Sequence, residues 1–165
     1  MLFCFDHPEA LAGWAAIDDR VMGGVSRSRM RHAPAGHAVF EGQLSLAQGG
    51  GFASVRARTG TAAVADAVDA TAALIEVRGV AQRYKLTLFT ADGADALGYQ
   101  HDFVPDADRW TLMRLPLADF VARFRGREVP GAPALDAARL RQVGLMIAGR
   151  QAGPFALDLR SITLA

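Results

Sequence analysis

Two stretches of the chain concentrate the residue types that bind or react. The first is Asp18-Asp19-Arg20-Val21-Met22-Gly23-Gly24-Val25-Ser26-Arg27-Ser28. The second is Gly49-Gly50-Gly51-Phe52-Ala53-Ser54-Val55-Arg56-Ala57-Arg58. Each has glycines followed by a strand-like alternation with Ser and Arg on one side. Glycine lets a backbone turn sharply or approach another chain segment closely. An arginine fork suits a carboxylate, a backbone carbonyl or a sugar hydroxyl. These stretches are expected to form one polar surface in which Arg20, Ser26, Ser54 and Arg56 share a face with Tyr99, Gln100 and Arg125. The alternative is a solvated sheet surface with cross-strand pairs. Arg56 divides the two readings: it either lines a groove with Ser54, Arg20 and Tyr99, or is clamped by Asp18 or Asp19. At least one of Gly23 and Gly24 is expected to have positive φ or to sit where a β-carbon would clash.

Other chemistries find little support. Gly49-Gly50-Gly51 precedes a strand, so no helix N-terminus is offered to a phosphate. No serine lies in a nucleophile elbow. His7, His32, His37 and His101 lack zinc-ligand spacing, and the single cysteine, Cys4, excludes a disulfide within the chain. Leu2-Phe3-Cys4-Phe5 suggests that Cys4 is buried. Asp92, Asp95, Asp102, Asp106 and Asp108 match no established calcium loop and are read as turn residues. Nothing selects a carboxylate pair among Asp18, Asp19, Glu41 and Glu76 for glycoside hydrolysis. The expectation is no catalytic residue, no metal and no cofactor.

The elements that must position these residues are short strands. Alternation marks Ala53/Val55/Ala57, Ile75/Val77, Leu86/Leu88 and Phe155/Leu157/Leu159 as inward positions. Further strands are expected near 2–5, 25–30, 37–46, 98–104, 110–115 and 143–148, with a hairpin joining 74–78 to 84–90 through Gly79 to Arg83. Trp14 is read as a core or groove-wall residue. Residues 61–72 read as a loop with at most a turn of helix, 117–127 as irregular, and 135–142 as the best helix candidate. Some ten strands at short spacing indicate an all-β sandwich or barrel. At 165 residues the chain fits one domain, 1–165, and 51% apolar residues suffice for a core.

The formal charge of +1 argues against a nucleic-acid partner. No apolar run is long enough to span a bilayer. The N-terminus lacks a secretory pattern, which makes the cytoplasm the simplest compartment. Lys85 is the lone lysine among 18 basic residues, a composition that looks bacterial.

Trp14 to Ser28, Phe40-Glu41-Gly42-Gln43-Leu44-Ser45-Leu46 and Gly50-Gly51-Phe52-Ala53-Ser54-Val55-Arg56 resemble the two opening motifs of the complex I intermediate-associated protein family. Tyr84-Lys85-Leu86, Tyr99-Gln100 with Phe103, Trp110 with Leu115-Pro116-Leu117, Phe124-Arg125-Gly126-Arg127 and Gly144-Leu145-Met146-Ile147 follow in the same order. The resemblance runs from about Phe3 to Leu164. It implies a jelly-roll β-sandwich of the galactose-binding-domain-like type and a non-enzymatic, chaperone-like role in assembly of NADH:ubiquinone oxidoreductase. The implied partner is a protein, an assembly intermediate of a respiratory complex. Similar domains resemble carbohydrate-binding modules, so carbohydrate on the same face is the alternative. The expectation is a bacterial stand-alone domain without the targeting extension expected of mitochondrial members.

Overall fold

Alternating apolar residues can be buried only if a second layer covers them, and two antiparallel sheets provide that here. The computed structural model describes residues 1–19, 23–93 and 96–165. The six-stranded sheet takes β1 (Phe3–Cys4), β3 (Arg27–Ala33), β4 (His37–Leu44), β6 (Ala72–Gly79), β9 (Thr111–Pro116) and β13 (Gly153–Leu164). Its order is β3-β4-β13-β6-β9, with β1 also paired to β13. The seven-stranded sheet takes β2 (Ala15–Ala16), β5 (Ala53–Arg58), β7 (Tyr84–Phe89), β8 (Gly98–Phe103), β10 (Val121–Phe124), β11 (Arg127–Glu128) and β12 (Gln142–Ile147). Its order is β11-β10-β8-β7-β12-β5-β2. One short helix, α1 (Thr61–Ala65), lies between β5 and β6. None of the helices is long and apolar enough to cross a membrane among the described residues.

The alternation reads correctly into the core. Ala53, Val55, Ala57, Ile75, Val77, Leu86, Leu88, Phe155, Leu157 and Leu159 are each at most 4% exposed. Burying a side chain the size of Leu contributes about 1.5–3 kcal/mol, so this layer dominates stability. Phe40, Tyr84, Phe103 and Phe155 form an aromatic centre, with centroid separations of 5.0 Å for Phe40–Phe155 and 5.9 Å for Tyr84–Phe103. β13 breaks the period of two between Leu159 and Ser161 with a register shift. That extra residue returns Ile162 to the core.

Four expectations are corrected. Residues 74–78 and 84–90 do not form a hairpin: β6 pairs with β13 and β9, whereas β7 pairs with β12 and β8, so residues 80–83 cross between sheets. The 135–142 segment forms one 3₁₀ turn, Ala137–Arg139, with the Asp136 carboxylate accepting from Ala138 N–H at 3.0 Å. Gln142 already belongs to β12, which leaves no room for a second helical turn. Within 117–127, β10 pairs with β8 and so extends the seven-stranded sheet. Cys4 is exposed, because β1 lies at the surface with Phe3 turned toward Phe5 and Trp14.

Candidate functional site

The acidic pair of the opening motif is buried. Asp19, 1% exposed, accepts the Ser26 N–H at 2.9 Å, the Ser26 hydroxyl, and the Gly51 N–H at 2.8 Å. Asp18 accepts the Ser28 N–H at 3.0 Å, the Ser28 hydroxyl, and the Ser54 N–H at 2.9 Å. The Ser26 hydroxyl in turn accepts from Ser45 N–H at 2.9 Å, and the Ser54 hydroxyl donates to Ile17 O. A buried carboxylate must have its lone pairs satisfied, and here adjacent acids collect donors from both glycine-containing stretches. Burial alone would raise the Asp19 carboxyl. The bonds from Ser26 and Gly51 outweigh it and hold the group below the usual carboxylate range.

Glycines allow this closeness. Gly23 has φ +86°, which a side chain rarely adopts. A β-carbon on Gly24 would lie 2.4 Å from Asp19 Cγ and 2.8 Å from Gly50 Cα. Both arms of the expectation for Gly23 and Gly24 therefore hold. The two motifs meet as one latch binding the 17–19 segment to β3 and β5.

The exposed face of the seven-stranded sheet is a separate surface. Strand register aligns Arg56, Gly144, Thr87 and Gln100 in one row across β5, β12, β7 and β8. The neighbouring row holds Arg58, Gln142, Phe89, Gly98 and Arg123. On the other side lie Ser54, Met146, Lys85 and Asp102, with Lys85 Nζ 2.6 Å from the Asp102 carboxylate. Gly98 and Gly144 leave the centre low, and the Phe89 ring fills it: a β-carbon on them would come 3.0 Å and 3.3 Å from that ring. The Arg56 guanidinium covers Phe89 at 3.8 Å from the ring centroid, a cation–π contact. Arg56 Nη1 also donates to Gly93 O at 3.2 Å, and Gln142 Nε2 donates to Ala91 O at 2.8 Å. Residues 91–93, after β7, are thus tied to the face. Thr87 is 3% exposed, and its hydroxyl has no hydrogen-bond partner among the described residues.

The single shared face expected for the site residues is corrected. Ser26 and Ser54 are buried in the latch. Tyr99 points into the sandwich, where its hydroxyl donates to Pro133 O at 2.9 Å, because it alternates with Gln100 along β8. Arg125 sits in the β10–β11 turn at φ +51°, its guanidinium 5.3 Å from the Phe124 centroid. β12, β7 and β8 separate it from β5, a span of about 19 Å at the usual strand spacing. Arg20 lies outside the described residues. Arg56 and Gln100 do share a row. Arg56 is held by neither Asp18 nor Asp19, whose acceptor positions are taken by serines and glycine. Phe89, Thr87 and Gln142 belong to this face without having been singled out. Phe89 has the parity of Lys85 and Thr87 in β7, which was the available signal.

Comparison with known proteins matches this architecture. A carbohydrate-binding module of family 11 from the cellulosomal cellulase Lic26A-Cel5E of Clostridium thermocellum aligns over 100% of this chain and 95% of its own, with TM-score 0.65 and 15% identity. A family 11 module from the same organism, in complex with a β-1,3-1,4-mixed-linked tetrasaccharide, aligns over 98% and 94%, with TM-score 0.62 and 15% identity. At that identity the likeness shows the fold: a jelly-roll, galactose-binding-like sandwich. An uncharacterized protein of Schizosaccharomyces pombe is 30% identical over 98% of this chain and 83% of its own length. The family model for complex I intermediate-associated protein 30 matches residues 3–159. With both glycine-containing motifs inside that match, the chain belongs to the complex I intermediate-associated protein 30 family.

Proposed function

We propose that the chain is a non-enzymatic, chaperone-like binding domain that holds a protein partner on the exposed face of the seven-stranded sheet. The partner suggested by the family is an assembly intermediate of a respiratory complex, met in the cytoplasm. One observation carries the choice of partner: Phe89, the ring on the paired strands of this face, lies beneath the Arg56 guanidinium rather than open to solvent. The face therefore offers Arg56, Gln100, Lys85 and Asp102, which suit backbone amides and side-chain carboxylates. A sugar ring would need an open aromatic platform. Carbohydrate is the second reading, favoured by the fold shared with the family 11 modules.

Capture from an extract of the source cell, using the parent chain and Gln100→Ala, tests the proposal. Gln100 is half-buried on the face and has no part in the latch. The variant should melt within about 2 °C of the parent, as surface substitutions usually change stability by less than about 0.5 kcal/mol. It should lose the captured protein. Retardation of the parent by a mixed-linkage glucan gel, abolished by Phe89→Ala, would instead establish the carbohydrate reading.

A further inference from the structure

The two borders of the six-stranded sheet are finished differently. β3 forms one border, and its outward side chains are Arg27, Arg29 and Arg31, the last two paired with Glu41. Charges along a border strand discourage another strand from adding there. β9 forms the opposite border and is paired on one side only, by β6. At its middle stands Leu112, 63% exposed. A shallow groove beside the strand is lined by Val104, Pro105, Trp110 and Leu112, with Asp106 and Arg109 at its polar end. Gly79 N–H donates to Asp106 O at 3.0 Å, which ties the groove's far wall to the end of β6. The Trp110 ring meets the guanidinium groups of Arg78 and Arg160, 4.8 Å and 4.1 Å from its centroid. An apolar border strand beside an apolar groove is the form that strand addition uses.

Charge selects the occupant. Arg114, exposed near the end of β9, donates to the Thr71 hydroxyl at 3.3 Å and meets no carboxylate among the described residues. Asp108, exposed just before β9, has a carboxylate with no ion pair among the described residues. The acid precedes the strand and the cation follows, so the border complements its own copy running antiparallel. With Thr111 set against Thr111 of a second chain, Leu112 meets the partner's Trp110 and Arg114 meets the partner's Asp108. Such an isologous arrangement closes on itself as a dimer. We infer that β9 is the seam of a homodimer in which two six-stranded sheets join into one continuous antiparallel sheet.

Sedimentation equilibrium of the full chain over rising concentration tests this. The parent mass should climb from one chain to two. Leu112→Asp and Arg114→Asp should each stay at one chain, with unchanged circular dichroism and the melting temperature the parent shows when diluted to single chains. Combining Arg114→Asp with Asp108→Arg should restore the doubled mass. A parent that remains a single chain at its solubility limit overturns the inference, as does Leu112→Asp sedimenting like the parent. Failure of the double exchange to restore the dimer overturns the register. A monomer that binds an extended foreign peptide at this border overturns self-pairing in favour of another partner.

Discussion

Ser54 and Arg56 stand two residues apart on the same side of β5, yet one is sealed in the latch and the other caps a ring on the exposed face. What lies above them makes the difference. The 17–19 segment covers Ser54 and supplies Ile17 O and Asp18 as partners. Arg56 instead lies over the Phe89 ring, and its Nη1 donates to a loop carbonyl, Gly93 O. In the latch each buried carboxylate is matched to three donors, whereas the face keeps a buried hydroxyl, Thr87 Oγ1, without a partner among the described residues. Full satisfaction marks a region built for stability. Residue type alone does not separate the two.

The largest effect is expected from Asp19→Ala, which leaves the Ser26 and Gly51 donors buried and unmatched. Removing one member of such a buried polar cluster costs about 3–5 kcal/mol. At about 2–4 °C per kcal/mol for a chain this size, the melting temperature should fall by roughly 10 °C. The same carboxylate sets an acid limit. Because its folded pKa is depressed, its contribution is complete above the unfolded value of about 3.9 and is lost as pH falls through the lower folded value. Glu41, lowered by Arg31 against the opposing effect of burial, acts in the same window. Melting temperature should therefore drop below about pH 4, less steeply in Asp19→Asn. An Asp19→Ala protein as stable as the parent would remove the latch from the comparison.

Gly24→Ala comes next. Its β-carbon would press on Asp19 Cγ and the Gly50 backbone, and overpacking of this kind costs about 1–3 kcal/mol. Gly51→Ala is the control, since an added β-carbon there meets nothing within 4 Å. Equal melting temperatures for the two variants would show that the latch tolerates expansion. Arg56→Ala should have the smallest effect on stability, about 1 kcal/mol or a shift of roughly 2–4 °C, because the contacts it loses, the cation–π stack on Phe89 and the bond to Gly93 O among them, lie at a half-exposed site. It should reduce partner capture out of proportion to that shift. A drop in melting temperature as large as that of Asp19→Ala would make Arg56 a clamp and erase the distinction.

Alternation made the sandwich and its inner layer readable along the chain, since period two is a property of neighbouring residues in any strand. Hence Val55, Ile75, Leu86 and Leu157 could be assigned inward without knowing what they would meet. The glycines at 23 and 24 were readable as well, since only a turn or a close approach calls for two in succession. Pairing was not readable. β6 and β7 are adjacent in sequence but enter different sheets, a choice made by which strands cover their apolar faces. Tyr99 and Gln100 both suit a polar surface, and only the register of β8 against β7 and β10 turned the ring inward. Ser54 reaches Asp18 across 36 residues, and Ser26 waits on a carboxylate whose direction depends on the packing of both sheets. Sequence determined which apolar residues of the alternating strands would be buried, because there burial follows from local period. Tertiary structure alone decided which polar residues would be used up inside the protein and which would be left facing out, because hydrogen-bond partners come from distant strands.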